Sequence, residues 1–298
     1  MYKEIVVQDI DQIRDLLKKV TGSGEYTKIS RLGGLTNHTY MVETEDMEYV
    51  VRIPGEGTES IINRKNEKIS TKLACGVGID ADLLYFDEYG AKVTRYIPNA
   101  VTMNKDSLKE TENIKLVAEV LRKLHSCGKD SKVPFEVFES AGEYEGVIFD
   151  KNVPMFEDYS DVKAEVMRIK SETDKTIGIK KVPCHNDPLC ENWVKSDDKM
   201  YLIDWEYAGM NDGMWDLADV SIEAEFEDCH DDILLKEYLG REPELFNRKH
   251  LLVNKIYVDY LWTLWAKARV PYDGQPMEDW AVERYSRLKV FIEKYKSM

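Results

Sequence analysis

The sequence predicts an α+β chain of two lobes: a β-rich N-terminal lobe with an antiparallel sheet, residues 1–97, and a mostly helical C-terminal lobe, residues 98–298. Three observations carry this. The first third alternates short β-like runs with turns. After Pro98, apolar residues recur at helical spacing. One β-like island, Val182–Glu206, interrupts those helices.

Asp9 to Val20 reads as a helix, because Ile10, Ile13, Leu16, Leu17 and Val20 share one face. Tyr26–Leu32, His38–Thr44 and Glu48–Ile53 read as strands, the last two joined across Glu45-Asp46. A helix over Thr58–Cys75, stopped at Gly76, is followed by strands Leu83–Asp87 and Ala91–Ile97 around the turn Glu88-Tyr89-Gly90. Helices are then predicted over Thr111–Cys127, ended by Gly128, and over Asp161–Lys175. After the island come Met214–Phe226, Asp231–Leu239, Asn247–Val270 and Met277–Lys296.

At 298 residues, with 43% hydrophobic and 33% charged positions, the composition is that of a soluble globular protein. A net charge of −15 repels nucleic-acid backbone and anionic lipid but attracts cations. The cysteines Cys75, Cys127, Cys184, Cys190 and Cys229 are scattered and lack a Cys-x-x-Cys pair, which points to reduced thiols in a cytoplasm. The first twenty residues mix acids and bases without the apolar run of a signal peptide. The apolar stretch Leu261–Ala266 is too short to span a bilayer.

The chemistry concentrates in Cys184–Gly209. Glu191–Lys195 and Met200–Asp204 are apolar enough to be strands, and Ser196-Asp197-Asp198-Lys199 between them is turn-like. A turn centred on Asp197-Asp198 sets Asn192 opposite Ile203, with Asp204 beside it. The same end then gathers Asp187, Asn192, Asp204 and Glu206. Carboxylates with an amide oxygen suit a hard cation such as Mg²⁺. A further carboxylate without a metal can take a proton from a hydroxyl nucleophile. The bland alternative is an exposed acidic hairpin beside a core histidine.

His185-Asn186-Asp187-Pro188-Leu189-Cys190-Glu191-Asn192 resembles the His-x-Asp-x-x-x-x-Asn loop of kinase-like phosphotransferases. Ile203-Asp204-Trp205-Glu206-Tyr207, followed by Trp215-Asp216, is similar to the metal-binding strand end of choline and ethanolamine kinases. The resemblance implies a two-lobed protein-kinase-like fold and an ATP- and Mg²⁺-dependent phosphotransferase. On that basis Asp187 is the catalytic base, Asn192 and Asp204 hold Mg²⁺, and Glu206 is a further carboxylate at or just behind the metal.

A nucleotide site is expected at Gly33, Gly34, Leu35, Thr36 and Asn37. Paired glycines let backbone N–H groups approach a polyphosphate, and the family has a Gly-Gly-x-Ser/Thr-Asn loop in this place. Arg52 lies inside the apolar run Tyr49–Ile53, so its charge needs a partner, chosen as Glu67 with Glu59 the alternative. In kinase folds this strand cation pairs the phosphates with a helix glutamate. By position, Tyr96 and Ile97 would meet the adenine. Gly76-Val77-Gly78 mimics a dinucleotide fingerprint but follows a helix rather than a strand, and reads as a cap and loop.

Trp262 and Trp265 stand three apart on one helix, and Trp280 and Tyr285 follow. Tryptophans at helical spacing are commonly core. The resemblance makes them a cage for a quaternary ammonium, with Trp205 and Tyr207 contributing, and so implies choline as substrate. The alternatives are ethanolamine, an aminoglycoside or another small hydroxyl substrate, and a catalytically inactive nucleotide-binding module. His125 and His185 read as structural. The acid run Glu223–Asp232 reads as a solvated face, with a carboxylate near the cation pocket as the alternative.

Overall fold

In the computed structural model, residues 5–33, 37–55 and 62–298 are described. Helix α1 (Asp9–Thr21) precedes three antiparallel strands, β1 (Lys28–Gly33), β2 (Asn37–Glu43) and β3 (Glu48–Pro54). Helix α2 (Arg64–Val77) leads into β4 (Leu83–Phe86) and β5 (Lys92–Arg95), and the five strands form one sheet in the order β1-β2-β3-β5-β4. Its inward residues alternate, as period-2 strands require: Tyr40 and Val42, Tyr49, Val51 and Ile53, and Val93 pack against Ile13, Leu16 and Leu17 of α1. Helix α2 runs through Gly76 rather than stopping there. Gly78, at φ 76°, takes the left-handed conformation and its N–H returns to Ala74 O and Cys75 O.

After β6 (Val101–Thr102) come α3 (Lys105–Leu108), α4 (Thr111–His125), α5 (Val137–Asp150) and α6 (Tyr159–Thr176). Then follow β7 (Lys181–Cys184), the hairpin β8 (Trp193–Ser196) and β9 (Lys199–Leu202), and β10 (Gly209–Asp212). The chain ends in α7 (Gly213–Glu223), α8 (Asp228–Leu239), α9 (Leu245–Asp273) and α10 (Gln275–Ser297). Strand β6 adds to the hairpin as a three-stranded sheet, β6-β8-β9, while β7 pairs with β10.

The chain divides into two compact units. The first holds residues 1–103, 129–133 and 191–209; the second holds 104–128, 134–190 and 210–298. The hairpin of the island therefore belongs to the unit of the five-stranded sheet. The second unit is helical around Leu121, Leu124, Val166, Leu217, Leu234, Ile256 and Leu264, all fully buried. Among the described residues no helix is long and apolar enough to cross a membrane.

Candidate active site

In the first unit, the site is organised by two arginines. Arg52 sits on β3, 4% exposed, where a bare charge would be costly. Its guanidinium meets Glu67 Oε1 at 2.5 Å and donates to Gly90 O at 2.9 Å. The other arm reaches Asp204 Oδ1 and Glu206 Oε1, both at 3.3 Å. The expected partner, Glu67, is thus the one found; Glu59 lies outside the described residues. Arg64, one helical turn before Glu67, donates to Glu67 Oε2 at 2.8 Å and to Glu206 Oε1 at 3.0 Å. Asn37 donates to the same Glu206 oxygen at 2.7 Å. Two buried guanidiniums and two buried carboxylates therefore neutralise each other as one network.

The hairpin has the expected register. Trp193 pairs with Leu202 and Val194 with Tyr201, and Ile203 N–H donates to Asn192 O at 2.9 Å. Asn192 and Asp204 therefore flank the same end of the strands. Asp204 takes φ 70°, a conformation that Asp tolerates better than most residues, and its side chain is 39% exposed. Carboxylate oxygens of Glu67, Asp204 and Glu206 lie within 4.8 Å of one another. The donor chemistry fits a hard cation at Asp204, an open carboxylate beside the half-buried amide of Asn192. Glu206 differs: its Oε1 accepts from Asn37, Arg52 and Arg64, so that oxygen organises the arginines. Burial, reinforced by the neighbouring Asp204 charge, pushes the Glu206 carboxyl above its ordinary range, and Arg52 opposes the shift.

Trp205 differs from the expectation of a substrate-contacting ring. It is 1% exposed and its indole N–H donates to Asp80 at 3.0 Å, so its ring is part of the first unit's packing. Tyr207 is half-buried in the same unit. Tyr96 and Ile97 are half-buried at the end of β5, where Tyr96 N–H donates to Glu48 O. Gly33 closes β1, while Gly34, Leu35 and Thr36 lie outside the described residues.

In the second unit, the loop after β7 is held from beneath by α7. Asp216 accepts the N–H groups of His185 and Asn186, each at 2.8 Å. It also meets His125 Nε2 at 3.0 Å, and the other ring nitrogen of His125 meets Tyr238 Oη at 2.9 Å. Trp215 Nε1 donates to Asn186 O and Asn211 Nδ2 to Asn186 Oδ1, both at 3.0 Å. Asn186 adopts φ 68° within these bonds. A loop over-determined in this way presents the half-buried Asp187 in a fixed position.

The tryptophans form one edge-to-face cluster in this unit. Trp262 and Trp265 lie 6.1 Å apart at 88°, and Trp265 and Trp280 lie 5.7 Å apart at 80°. The Arg284 guanidinium stands over Trp280 at 4.1 Å. Arg284 in turn pairs with Glu223 and, at 3.2 Å, with Asp259. Tyr285 is drawn elsewhere: it stacks on Phe156 at 3.9 Å and donates to Asp158 at 2.8 Å. The chain's own groups thus occupy a face of Trp280 and of Tyr285. The acid run is not wholly solvated either, since Glu223 pairs with Arg284 and the buried Asp231 with Lys255 and Ser221.

A family model described as choline/ethanolamine kinase matches residues 29–238. The chain belongs to that family. It is accordingly a small-molecule phosphotransferase of a nucleotide-binding, kinase-like fold. A choline/ethanolamine kinase family protein from Mesorhizobium loti is 34% identical, with a TM-score of 0.85 over 95% of this chain and 94% of that one. The choline kinase LicA from Streptococcus pneumoniae is 31% identical, with a TM-score of 0.81 over 96% and 99%. A LicA solved in complex with AMP is 29% identical, with a TM-score of 0.76 over 96% and 98%.

Sequence reasoning passed over Arg64, whose signal was its place one turn before Glu67. It also passed over Asp219, a fully buried carboxyl on α7, and the Glu223–Arg284–Asp259 set, whose members are far apart in the chain.

Proposed function

We propose that the protein is a choline kinase, transferring the γ-phosphoryl of ATP to the hydroxyl of choline and giving phosphocholine and ADP. The observation that carries the choice of substrate is the Trp262–Trp265–Trp280 cluster, in the same unit as Asp187 and bordered by Glu223. Aromatic faces attract a quaternary ammonium by roughly 0.5–2 kcal/mol each, a contact that a neutral sugar hydroxyl does not exploit.

In this reading Asp187 orients the choline hydroxyl and accepts its proton as the oxygen attacks the γ-phosphorus. The new P–O bond forms as the bond to the bridging oxygen breaks, and ADP leaves. The strapping of the loop by Asp216, Asn211 and Trp215 supplies the required orientation. Arg52, oriented by Glu67, engages the phosphates with the backbone of Gly33–Asn37, and Tyr96 and Ile97 meet the adenine. Asn192 and Asp204 would hold Mg²⁺, with Glu206 adjoining. The ion neutralises phosphate charge when bound. Residues 1–97 thus serve the nucleotide, and residues 98–298 the catalysis and the substrate. The free cysteines agree with action in the cytoplasm.

The test is product formation by wild type and Asp187→Asn, with ATP and Mg²⁺, over choline, ethanolamine and an aminoglycoside. Phosphocholine from wild type, with turnover lowered by about 10²–10⁴ in the variant, is expected for loss of a general base. Near-normal turnover in Asp187→Asn rejects the base. Product from ethanolamine or the aminoglycoside, but not from choline, rejects choline as substrate and keeps the kinase.

A further inference from the structure

Asp219 lies on α7, between Asp216 and Glu223, and is 0% exposed. Among the described residues, neither of its carboxylate oxygens has a hydrogen-bond partner. A bare carboxylate in such a place would lack both water and counter-ion, so it exists either with a proton or with a cation close by. Its electrostatic neighbours are named by the surrounding elements: Asp187 on the strapped loop, Asp216 and Glu223 on α7, and Arg284 on α10. Arg284 offsets its charge only in part, because that guanidinium also pairs with Glu223 and Asp259. Arg287 is likewise engaged by Asp259. On the other elements packed against α7 the charges are matched elsewhere. His125 of α4 meets Asp216, Asp231 of α8 meets Lys255 of α9, and His250 of α9 meets Asp212 at 2.5 Å. Cys184 of β7 is buried and its thiol is pushed well above its ordinary range by burial. Burial first, then the charges of Glu223 and Asp187, also push the Asp219 carboxyl well above its ordinary range.

Glu223 stands one helical turn after Asp219 on α7, and from Glu223 a chain of contacts runs to the aromatic cluster. Glu223 pairs with Arg284, Arg284 covers Trp280, Trp280 meets Trp265, and Trp265 meets Trp262. We infer that Asp219 exchanges a proton for the substrate's cation: it holds a proton while the site is empty and releases it to solvent when an ammonium group seats beside Glu223 and the tryptophans. The incoming positive charge takes the place of the proton, so atoms and charge balance with one proton leaving per cation bound. This rests on the amino-alcohol kinase reading, and it makes Asp219 a specificity-determining residue. A cation gains from the exchange, and a neutral molecule of the same shape does not.

The experiment is isothermal titration of choline into the full chain, wild type and Asp219→Asn, between pH 5.5 and pH 8 in buffers of different ionisation enthalpy. 3,3-Dimethylbutan-1-ol serves as the uncharged isostere. Wild type is expected to release up to one proton per choline, with affinity rising with pH by at most about tenfold per unit. Asp219→Asn should release none and lose that pH dependence. Both proteins should bind the isostere alike, which shows that the variant is folded. Equal proton release in the two proteins, or none in wild type, overturns the exchange and leaves the kinase reading standing. A wild type that binds neither choline nor ethanolamine overturns the amino-alcohol reading, and the exchange with it.

Discussion

Gly90→Ala should damage the nucleotide side of the protein without touching a charged residue. Gly90 sits in the turn before β5 at φ 97°, which L-residues adopt at a cost of about 1–2 kcal/mol. A Cβ built there would lie 2.5 Å from Arg64 Nε and 2.6 Å from Arg64 Cδ. Those atoms are near the base of the guanidinium, so the whole head of Arg64 must shift. The shift takes it from Glu67 at 2.8 Å and Glu206 at 3.0 Å, each a hydrogen bond between charged groups. Loss of one such bond costs about 1.5–3 kcal/mol, so strain and displacement together reach about 2.5–5 kcal/mol. The same turn carries the carbonyl that Arg52 holds at 2.9 Å, so Arg52 is disturbed as well. At about 2–4 °C per kcal/mol, the melting midpoint should fall by about 5–20 °C. ADP binding, measured by titration at 15 °C, should weaken by at least tenfold. A midpoint within 2 °C of wild type, together with unchanged ADP affinity, would refute the tie between this glycine and the arginine network.

Three further outcomes follow from the same contacts. Trp262→Ala and Trp265→Ala should each raise the choline KM about 2–30-fold, the range for one cation–π contact, while the ATP KM stays near wild type. Trp280→Ala, whose ring face is taken by Arg284, should lower the melting midpoint more than it changes the choline KM; the reverse order would make Trp280 a substrate wall. Asp80, buried beside Trp205, has its carboxyl pushed up to about 6 by burial, against a usual value near 4, with Lys92 opposing. A raised acid binds its proton more tightly in the folded state, so its contribution to stability is full below about pH 4 and is lost as pH rises through 6. Asp80→Asn, which keeps an acceptor for the Trp205 indole, should remove that pH dependence. The stability difference between wild type and variant in urea should change by about 3 kcal/mol between pH 4 and pH 8, and a constant difference would overturn the assignment.

What the sequence made legible follows from how local each signal is. The register of β8 and β9 could be read because two apolar runs and a four-residue turn leave little freedom, and one slip would reverse the faces. The Arg52–Glu67 pair could be read because a charge within an apolar strand demands an acid, and the next helix offers one. Helix α5 was missed because Gly142 and Gly146 weaken its signal. Strand β6 is only two residues, Val101–Thr102, and takes its partner from β8, far along the chain. The network around Glu206 was illegible for a different reason. Asn37, Arg52, Arg64 and Glu206 come from separate stretches, and no spacing rule joins them. Asp219 is the limiting case. In Trp215-Asp216-Leu217-Ala218-Asp219 it reads as one more polar residue on a helix, yet it is as buried as Leu217.

Glu206 shows why that distinction matters for mechanism. With only Glu67 as partner, Arg52 and Arg64 would leave one buried positive charge unmatched. Glu206 supplies the second acid and does so through one oxygen shared among three donors. The arginines are thereby held in place by the protein's own acids, and in the proposed reaction a polyphosphate would meet oriented donors with little reorganisation left to pay. Asp204 is more exposed and carries fewer donors, which suits the cation-holding role proposed for it. Two acids two residues apart in Ile203-Asp204-Trp205-Glu206 are therefore set in different surroundings, one among the arginines and one open, with Trp205 anchored on Asp80 between them.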